Sequence, residues 1–184
     1  MSTVSEALDW ATEQLSESDD ARLDSQVLLA YTLNVSRTWL FTWPDKALDG
    51  ATLTAFNALI EERKSGTPIA YITGYRDFWS LRLKVTPDTL IPRADTELLV
   101  ETALTLKNVE KPCDVIDLGT GTGAIALSLA NECPSWRITA TDINPKTLAV
   151  AKENAQTLEL AVSFKESAWF DAINDRYDLV ISNP

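Results

Sequence analysis

The chain has 184 residues, of which 45% are hydrophobic and 23% charged, as is ordinary for a folded globular protein. Its net charge of -11 disfavours an enzyme that acts directly on nucleic acid, because such a protein needs a basic surface to neutralise phosphates. The chain contains no histidine, which excludes Ser-His-Asp and Cys-His nucleophiles, imidazole bases and histidine-ligated zinc among its residues.

The N-terminal sequence MSTVSEALDW lacks the basic start and the apolar run of a signal peptide. Apolar stretches such as residues 124–130 are too short to span a bilayer. We therefore expect a cytoplasmic protein with no membrane contact. Cys113 and Cys133 show no spacing typical of a metal site, so we expect two unpaired thiols and no bound metal.

The first 74 residues are predicted to form a small helical bundle. Apolar residues recur at helical spacing in residues 4–15, 23–31 and 53–60, and a short further helix is expected near residue 37. Ser2 or Thr3 can cap the first helix, and Gly66 is well placed to end the last one. Apolar stripes of this kind are typical of a core, so we assign no site to them.

The pattern changes after the bundle. Alternating apolar and polar side chains predict a β-hairpin or extended linker over residues 75–90. The stretch LIPRADTELLVETAL, residues 90–104, must be extended before Pro92 and is then predicted to enter a helix. Asp95 or Thr96 can cap that helix.

Residues 91–184 are predicted to form an α/β domain in which strands and helices alternate. The predicted strands are residues 114–118, 137–141, 162–165 and 177–182, and the predicted helices after the first strand are residues 123–131 and 145–158. This order implies a parallel, doubly wound sheet, in which ligands lie at the carboxyl ends of the strands near the switch point.

The sequence DLGTGTGA, residues 117–124, follows the first of these strands and opens a helix. Its alternating glycines allow a tight turn and let the backbone approach a ligand closely. Asp142 ends the next strand, where a carboxylate can accept both hydrogen bonds of a ribose diol. The pattern predicts a nucleoside-binding loop, but Gly119, Gly121 and Ala124 also fit the dinucleotide motif, so the loop alone leaves the cofactor open.

Two further features favour S-adenosylmethionine over NAD. Asp117 lies two residues before the first glycine, where a carboxylate suits the ammonium group of an amino acid better than it suits a pyrophosphate. Asn183 and Pro184 follow the last strand. The asparagine oxygen can accept a hydrogen bond from a substrate NH2, and the proline stiffens the turn and leaves carbonyls facing the pocket. Together they would hold a planar amide or amine with its nitrogen aimed at the methyl carbon.

These motifs resemble those of the HemK-like (PrmC) protein methyltransferases. The resemblance covers the whole chain and is carried by PIAYITGYRDFWSL, LIPRADTE, DLGTGTGAIALSLA and ISNP. It implies an α/β protein in which a small N-terminal helical bundle, expected to dock the partner, precedes the first half of a Rossmann-like class I methyltransferase sheet. It also implies methyl transfer from S-adenosylmethionine to N5 of the glutamine in the Gly-Gly-Gln loop of peptide chain release factors.

The resemblance assigns residues to the cofactor and to the substrate. The methionine and ribose of the cofactor would be surrounded by the residues of the glycine loop: Gly119, Thr120, Gly121, Thr122 and Gly123. Asp142 would hold the ribose hydroxyls, and Trp169 would pack near adenine. Asn183 and Pro184 would be the first half of an Asn-Pro-Pro-Tyr substrate clamp.

Three residues of the LIPRADTE stretch, Arg93, Thr96 and Glu97, would line the near side of the pocket. A salt-bridged Arg93 and a capping Thr96 are equally good interpretations of the first two. Ala168 stands beside Trp169 where the family has an acidic side chain, which argues against adenine recognition through that position. The rest of the clamp is not in the sequence, so we expect this chain to be an inactive fragment.

Other functions remain open from the sequence. A nucleic-acid (adenine N6) methyltransferase uses a related Asn-Pro clamp, although the negative charge and the helical bundle oppose it. A non-catalytic fragment that binds S-adenosylmethionine or a partner is the second alternative, and an NAD-dependent oxidoreductase is the third. The sequence leaves the oligomeric state open.

Overall fold

The computed structural model describes residues 2–108 and 110–183. The chain divides into two compact units, Met1–Thr73 and Gly74–Pro184, which we call the helical unit and the sheet unit. Each unit has its own cluster of buried apolar side chains. Residues 75–90, predicted as a hairpin or linker, lie within the sheet unit.

The helical unit consists of helices packed around an apolar core. Its described helices are α1 (Val4–Gln14), α2 (Ala21–Leu33), α3 (Arg37–Thr42), α4 (Gly50–Lys64) and α5 (Ile69–Thr73). Val4, Leu28, Phe56 and Ile60 are fully buried at the centre of the core. The spacing of apolar residues therefore located the long helices correctly, because each buries one stripe of side chains.

Local signals fix several ends of these helices. The predicted cap at Thr3 is confirmed: its hydroxyl accepts a hydrogen bond from the Glu6 N–H, and the Glu6 carboxylate accepts one from the Thr3 N–H. Gly66, predicted to end α4, follows the helix with φ of +100°. The sequence reading missed α5, because a five-residue helix is too short to show a period.

The sheet unit begins with an antiparallel hairpin and continues as alternating strands and helices. Its described elements are β1 (Tyr75–Phe78), β2 (Leu81–Lys84), a 3-10 turn (Ala94–Thr96), α6 (Glu97–Leu106), β3 (Asp114–Leu118), α7 (Ala124–Glu132), β4 (Arg137–Asp142), α8 (Pro145–Thr157), β5 (Ser163–Glu166) and β6 (Leu179–Ser182).

Four parallel strands form the sheet in the order β5-β4-β3-β6 among the described residues. The chain first adds strands on one side of β3 and then crosses to the other side for β6. This reversal is the topological switch point at which ligands bind in such sheets. Strand β6 lies beside β3 in parallel, since Val115 pairs with Leu179 and Leu118 with Ser182.

Strand β6 is the outermost strand on its side of the described sheet. Val180 in the middle of this strand is 50% exposed, whereas its neighbour Ile181 is 7% exposed. Within the described residues, β6 therefore presents an exposed apolar side chain at this edge of the sheet. An edge of this kind leaves backbone groups that can pair with another strand.

The prediction that Asp95 or Thr96 caps α6 is wrong. The helix is entered through the 3-10 turn, which contains both residues. Thr96 itself has helical dihedrals, φ -69° and ψ -21°, and its side chain makes no capping hydrogen bond. A capping residue needs an extended backbone to turn its oxygen back toward the helix, and Thr96 does not have one.

Asn154 on α8 joins the hairpin to the loop after β3. Its amide oxygen accepts the Lys84 N–H at 2.7 Å. Its Nδ2 donates to the Lys84 carbonyl at 3.0 Å and to the Thr122 carbonyl at 2.9 Å. The side chain is 3% exposed, so its polar atoms are satisfied by backbone groups rather than by solvent.

Candidate active site

The glycine loop runs from β3 to α7 at the carboxyl edge of the sheet. Gly119, Gly121 and Gly123 have φ of +72°, +59° and +86°, a region that residues with a side chain rarely adopt. A Cβ on Gly123 would stand 2.9 Å from Leu127 Cδ1, so this glycine is required for packing as well. A Cβ on Gly121 would meet nothing within 4 Å, so this side of the loop faces open space in which a ligand can lie.

Strand β4 holds the glycine loop from one side. The Thr120 N–H donates to the Thr141 carbonyl at 2.8 Å, and the Gly121 N–H donates to Asp142 Oδ2 at 3.1 Å. The other Asp142 oxygen accepts the Asn144 N–H at 3.0 Å. Asp142 is half-buried, so its carboxylate braces the loop while part of it stays accessible to a ligand.

The two threonines of the loop are buried, with 6% of Thr120 and 2% of Thr122 exposed. The Thr120 hydroxyl donates to Asp117 Oδ2 at 2.6 Å, and the Thr122 carbonyl accepts from Asn154. The predicted role of these two residues around a cofactor stays a prediction.

Asp117 is enclosed, with 1% of the residue exposed. Its Oδ1 has no hydrogen-bond partner among the described residues. Burial raises the pKa of Asp117 to about 6, although the hydrogen bond from Thr120 favours the charged form; the nearby charge of Asp142 raises the pKa further. An unpartnered buried carboxylate oxygen is suited to a cationic ligand group, which is the role that the sequence predicted.

Asn183 lies at the end of β6, beside the loop. The preceding Ser182 hydroxyl donates to the Leu118 carbonyl at 2.8 Å and so ties the end of β6 to the end of β3. Asn183 Nδ2 donates to Thr96 Oγ1 at 2.7 Å. The structure thus brings the predicted residues Asn183 and Thr96 together. Pro184, the other predicted clamp residue, lies outside the described residues.

The other two residues predicted to line the pocket lie near Thr96 in sequence but differ in their contacts. Arg93 is exposed, and its guanidinium forms no ion pair with any of the described residues. Within these residues, the interpretation of Arg93 as a salt-bridged residue is therefore wrong. Glu97 Oε1 accepts the Trp79 N–H at 2.9 Å. Trp79 has φ of +56° in the hairpin turn, so Glu97 supports an unusual backbone there.

Trp169 follows β5 and is 58% exposed, with φ of +53°. Ser167 organises this turn: its hydroxyl donates to the Trp169 carbonyl at 2.9 Å and accepts the Ala172 N–H at 3.1 Å. The Ser167 N–H donates to the Asp142 carbonyl at 3.1 Å, which connects the turn to the end of β4. The sequence analysis did not predict the role of Ser167, because its partners lie in an irregular turn with no local pattern.

The described residues hold no group of three or more Cys, Asp or Glu side chains arranged to bind a metal ion. Cys113 and Cys133 are buried free thiols, and burial raises the pKa of each above its ordinary value. None of the helices in the described part of the chain combines the length and apolar character that crossing a bilayer requires.

The sheet order, the glycine loop and the acidic residue at the end of β4 define a class I methyltransferase domain, and residues 94–184 match the methyltransferase small domain. Residues 6–74 match the PrmC N-terminal domain. These two matches together cover most of the chain and confirm the predicted resemblance to the PrmC methyltransferases.

Three relatives illustrate the similarity. A release factor glutamine methyltransferase of Shewanella oneidensis is 48% identical over 100% of this chain and 65% of its own length. A protein with the same description from Vibrio cholerae is 47% identical over 99% of this chain and 65% of its own length. Another, from Escherichia coli, is 43% identical over 95% of this chain and 63% of its own length. The chain thus spans about 65% of the length of the first two relatives.

We expect Asp117→Asn to change how folding stability depends on pH. The folded-state pKa of about 6 lies above the ordinary 3.8, so the folded chain binds this proton more tightly than the unfolded chain. The stability from Asp117 is complete below about pH 4 and is lost as the pH rises through about 6. Urea unfolding should therefore show Asp117→Asn gaining about 2 to 3 kcal/mol relative to the unchanged protein between about pH 4 and pH 8.

The matched control is Asp171→Asn, which alters an exposed carboxylate of the same unit. It should not reproduce the pH-dependent gain of Asp117→Asn, because it replaces an exposed carboxylate rather than a buried one. Parallel pH profiles for Asp117→Asn and the unchanged protein would contradict the assignment.

Proposed function

We propose that this chain belongs to an enzyme that transfers a methyl group from S-adenosylmethionine to the glutamine amide nitrogen in the Gly-Gly-Gln loop of peptide chain release factors. The observation that carries the proposal is the position of Asn183 at the end of β6, which pairs with the strand that leads into the glycine loop. Relatives described as release factor glutamine methyltransferases support the choice of substrate.

The residues at the carboxyl edge fit S-adenosylmethionine. The space beside Gly121 is open, and Asp142 is half-buried at the end of β4. The buried Oδ1 of Asp117 has no hydrogen-bond partner among the described residues. Asp142 would accept hydrogen bonds from the ribose hydroxyls, and Asp117 would face the ammonium group. When bound, the cofactor supplies an activated methyl group.

The protein's own task is to orient the substrate amide. An amide nitrogen is a weak nucleophile because its lone pair is delocalised, so alignment and exclusion of water are the main contributions that the site can make. Asn183 Oδ1 would accept one N–H of the glutamine amide and hold its nitrogen toward the methyl group. No general base is needed before the attack, which suits a chain without histidine.

The charge of the chain favours a protein substrate over DNA. The chain carries 27 acidic and 16 basic side chains, a balance that repels a phosphate backbone. The second candidate is a non-catalytic module that binds the cofactor or a partner. Calorimetry together with a transfer assay distinguishes the two candidates.

Methyl transfer from radiolabelled S-adenosylmethionine tests the proposed function. The full protein encoded by the gene should label a release factor and leave DNA unlabelled. Asn183→Ala should slow transfer by at least about a hundredfold and leave cofactor affinity nearly unchanged, because Asn183 contacts the substrate amide. Asn57→Ala, an exposed asparagine in the helical unit, is the matched control. Labelling of DNA in preference to the release factor would contradict the proposal.

We expect Asp142→Ala to weaken cofactor binding by about thirtyfold, or about 2 kcal/mol, because a charge-assisted hydrogen bond to the ribose is lost. Calorimetry with S-adenosylhomocysteine measures this affinity. Because Asp142 also braces Gly121 and Asn144, circular dichroism must show that the variant stays folded. Asp45→Ala, at an exposed aspartate of the helical unit, should bind normally. Unchanged affinity in a folded Asp142→Ala variant would refute the role of Asp142.

The helical unit is proposed to dock the release factor. It exposes three large aromatic side chains on or next to α2 and α3: Tyr31 is 47%, Phe41 is 61% and Trp43 is 54% exposed. Residues 1–73 also carry eleven acidic and five basic side chains. Exposed aromatic side chains on a unit with an excess of acidic residues suit a protein partner that offers basic residues and apolar contacts.

The double variant Phe41→Ala/Trp43→Ala should raise KM for an intact release factor by about tenfold or more, because aromatic anchors contribute a large part of binding at interfaces. Methylation of a short Gly-Gly-Gln peptide should change little, since the peptide lacks the rest of the release factor that the helical unit is proposed to dock. Steady-state kinetics on both substrates make the comparison. Equal losses on both would mean that these side chains support the enzyme's fold rather than its docking.

A further inference from the structure

Thr96 and Asn183 form a hydrogen bond although 87 residues separate them in the sequence. Asn183 Nδ2 donates to Thr96 Oγ1 at 2.7 Å. Thr96 is 8% exposed and lies in the 3-10 turn before α6, whereas Asn183 follows β6 and is exposed. A buried hydroxyl on one element thus contacts the outward side chain of another.

The Thr96 hydroxyl has no function in its own helix. A threonine at the start of a helix usually caps it, but Thr96 has helical dihedrals and makes no capping bond. The turn is held by its backbone instead, since the Thr96 N–H donates to the Arg93 carbonyl at 3.0 Å. The side-chain hydroxyl is therefore available to bind Asn183.

The orientation of the Asn183 amide determines which atom it offers to a ligand. The oxygen and nitrogen of an asparagine side chain are similar in size, and rotation about the terminal torsion exchanges them at little steric cost. The two orientations are chemically opposite, because one presents an acceptor and the other a donor. With Nδ2 bound to Thr96, Oδ1 is left to accept, and it accepts no hydrogen bond from the described residues.

We propose that Thr96 is a positioning residue that fixes the Asn183 amide with its oxygen toward the glutamine amide of the substrate. The proposal rests on the proposed function, because it assigns Asn183 Oδ1 to the substrate N–H. The Thr96 hydroxyl anchors the Asn183 side chain at this place. Because a hydroxyl can accept as well as donate, the substrate N–H, which only an oxygen can accept, then selects the orientation with Oδ1 outward. Without this anchor the exposed Asn183 side chain adopts other rotamers, and a smaller fraction of the enzyme holds Oδ1 where it can align the substrate amide.

Two substitutions of Thr96 distinguish the effect of its hydroxyl group from the effect of its side-chain packing. Thr96→Val keeps the branched shape but removes the acceptor, and Thr96→Ser keeps the hydroxyl but removes a methyl group. We expect Thr96→Val to lower kcat for the Gly-Gly-Gln peptide by about tenfold, which is the size of effect expected from the loss of one hydrogen bond. Its affinity for S-adenosylhomocysteine and its melting temperature should stay close to those of the unchanged protein. Thr96→Ser should retain most of kcat.

A double-variant cycle tests whether Thr96 acts through Asn183. Thr96→Val/Asn183→Ala should be no slower than Asn183→Ala alone, because a positioning residue has nothing to position once the amide is gone. Additive losses, normal kcat in Thr96→Val, or an equal loss in Thr96→Ser would overturn the proposal.

Nuclear magnetic resonance tests the same hydrogen bond without any activity. The Asn183 side-chain NH2 signals are assigned by their loss in Asn183→Ala. In the unchanged protein one NH2 proton should be shifted and protected by Thr96, and in Thr96→Val this proton should lose its protection, whereas Thr96→Ser should keep it. An unprotected NH2 in the unchanged protein would refute the positioning role. Protected NH2 protons in a protein that labels no release factor would instead count against the proposed function.

Discussion

The glycine loop keeps its shape because neighbouring elements hydrogen-bond to its backbone. Three residues of this short loop have positive φ, and glycines contribute no side chains that could hold such a conformation. The support comes from outside, from Asp142 and the Thr141 carbonyl of β4 and from Asn154 of α8. Asn154 also binds both backbone groups of Lys84, so the hairpin is tied to the same loop. The site therefore depends on packing between elements that are distant in sequence.

Some residues that support the glycine loop can also bind a ligand, and others contact residues that can. The Asp142 carboxylate supports Gly121 and Asn144, and its carbonyl accepts the N–H of Ser167, which shapes the turn at Trp169. One residue thus connects the region expected to hold ribose with the region expected to hold adenine. A change at Asp142 must therefore act on affinity and on geometry together, which is why structural controls accompany its test.

Features with a local period or a local motif could be predicted from the sequence, whereas features that depend on long-range contacts could not. The helical stripes, the glycine loop and the pairing of β6 with β3 follow from periodicity, from glycine spacing and from the topology of parallel sheets. Asn154 and Ser167 carried no signal of their role, because their partners lie on other elements or in an irregular turn. Thr96 was predicted both as a cap and as a pocket residue, and its dihedral angles decide against the cap.

Asp117 and Asp142 differ in environment in a way that suits two different ligand groups. Asp117 is buried, its pKa is raised to about 6, and the charge of Asp142 adds to the cost of ionising it. Its negative charge is therefore stabilised most by a cation that binds close to Oδ1. Asp142 is half-buried and already accepts two backbone N–H groups, so it can accept further neutral donors such as hydroxyls. A ligand with an ammonium group at one end and a ribose diol further along satisfies both carboxylates, and a dinucleotide pyrophosphate near Asp117 does not.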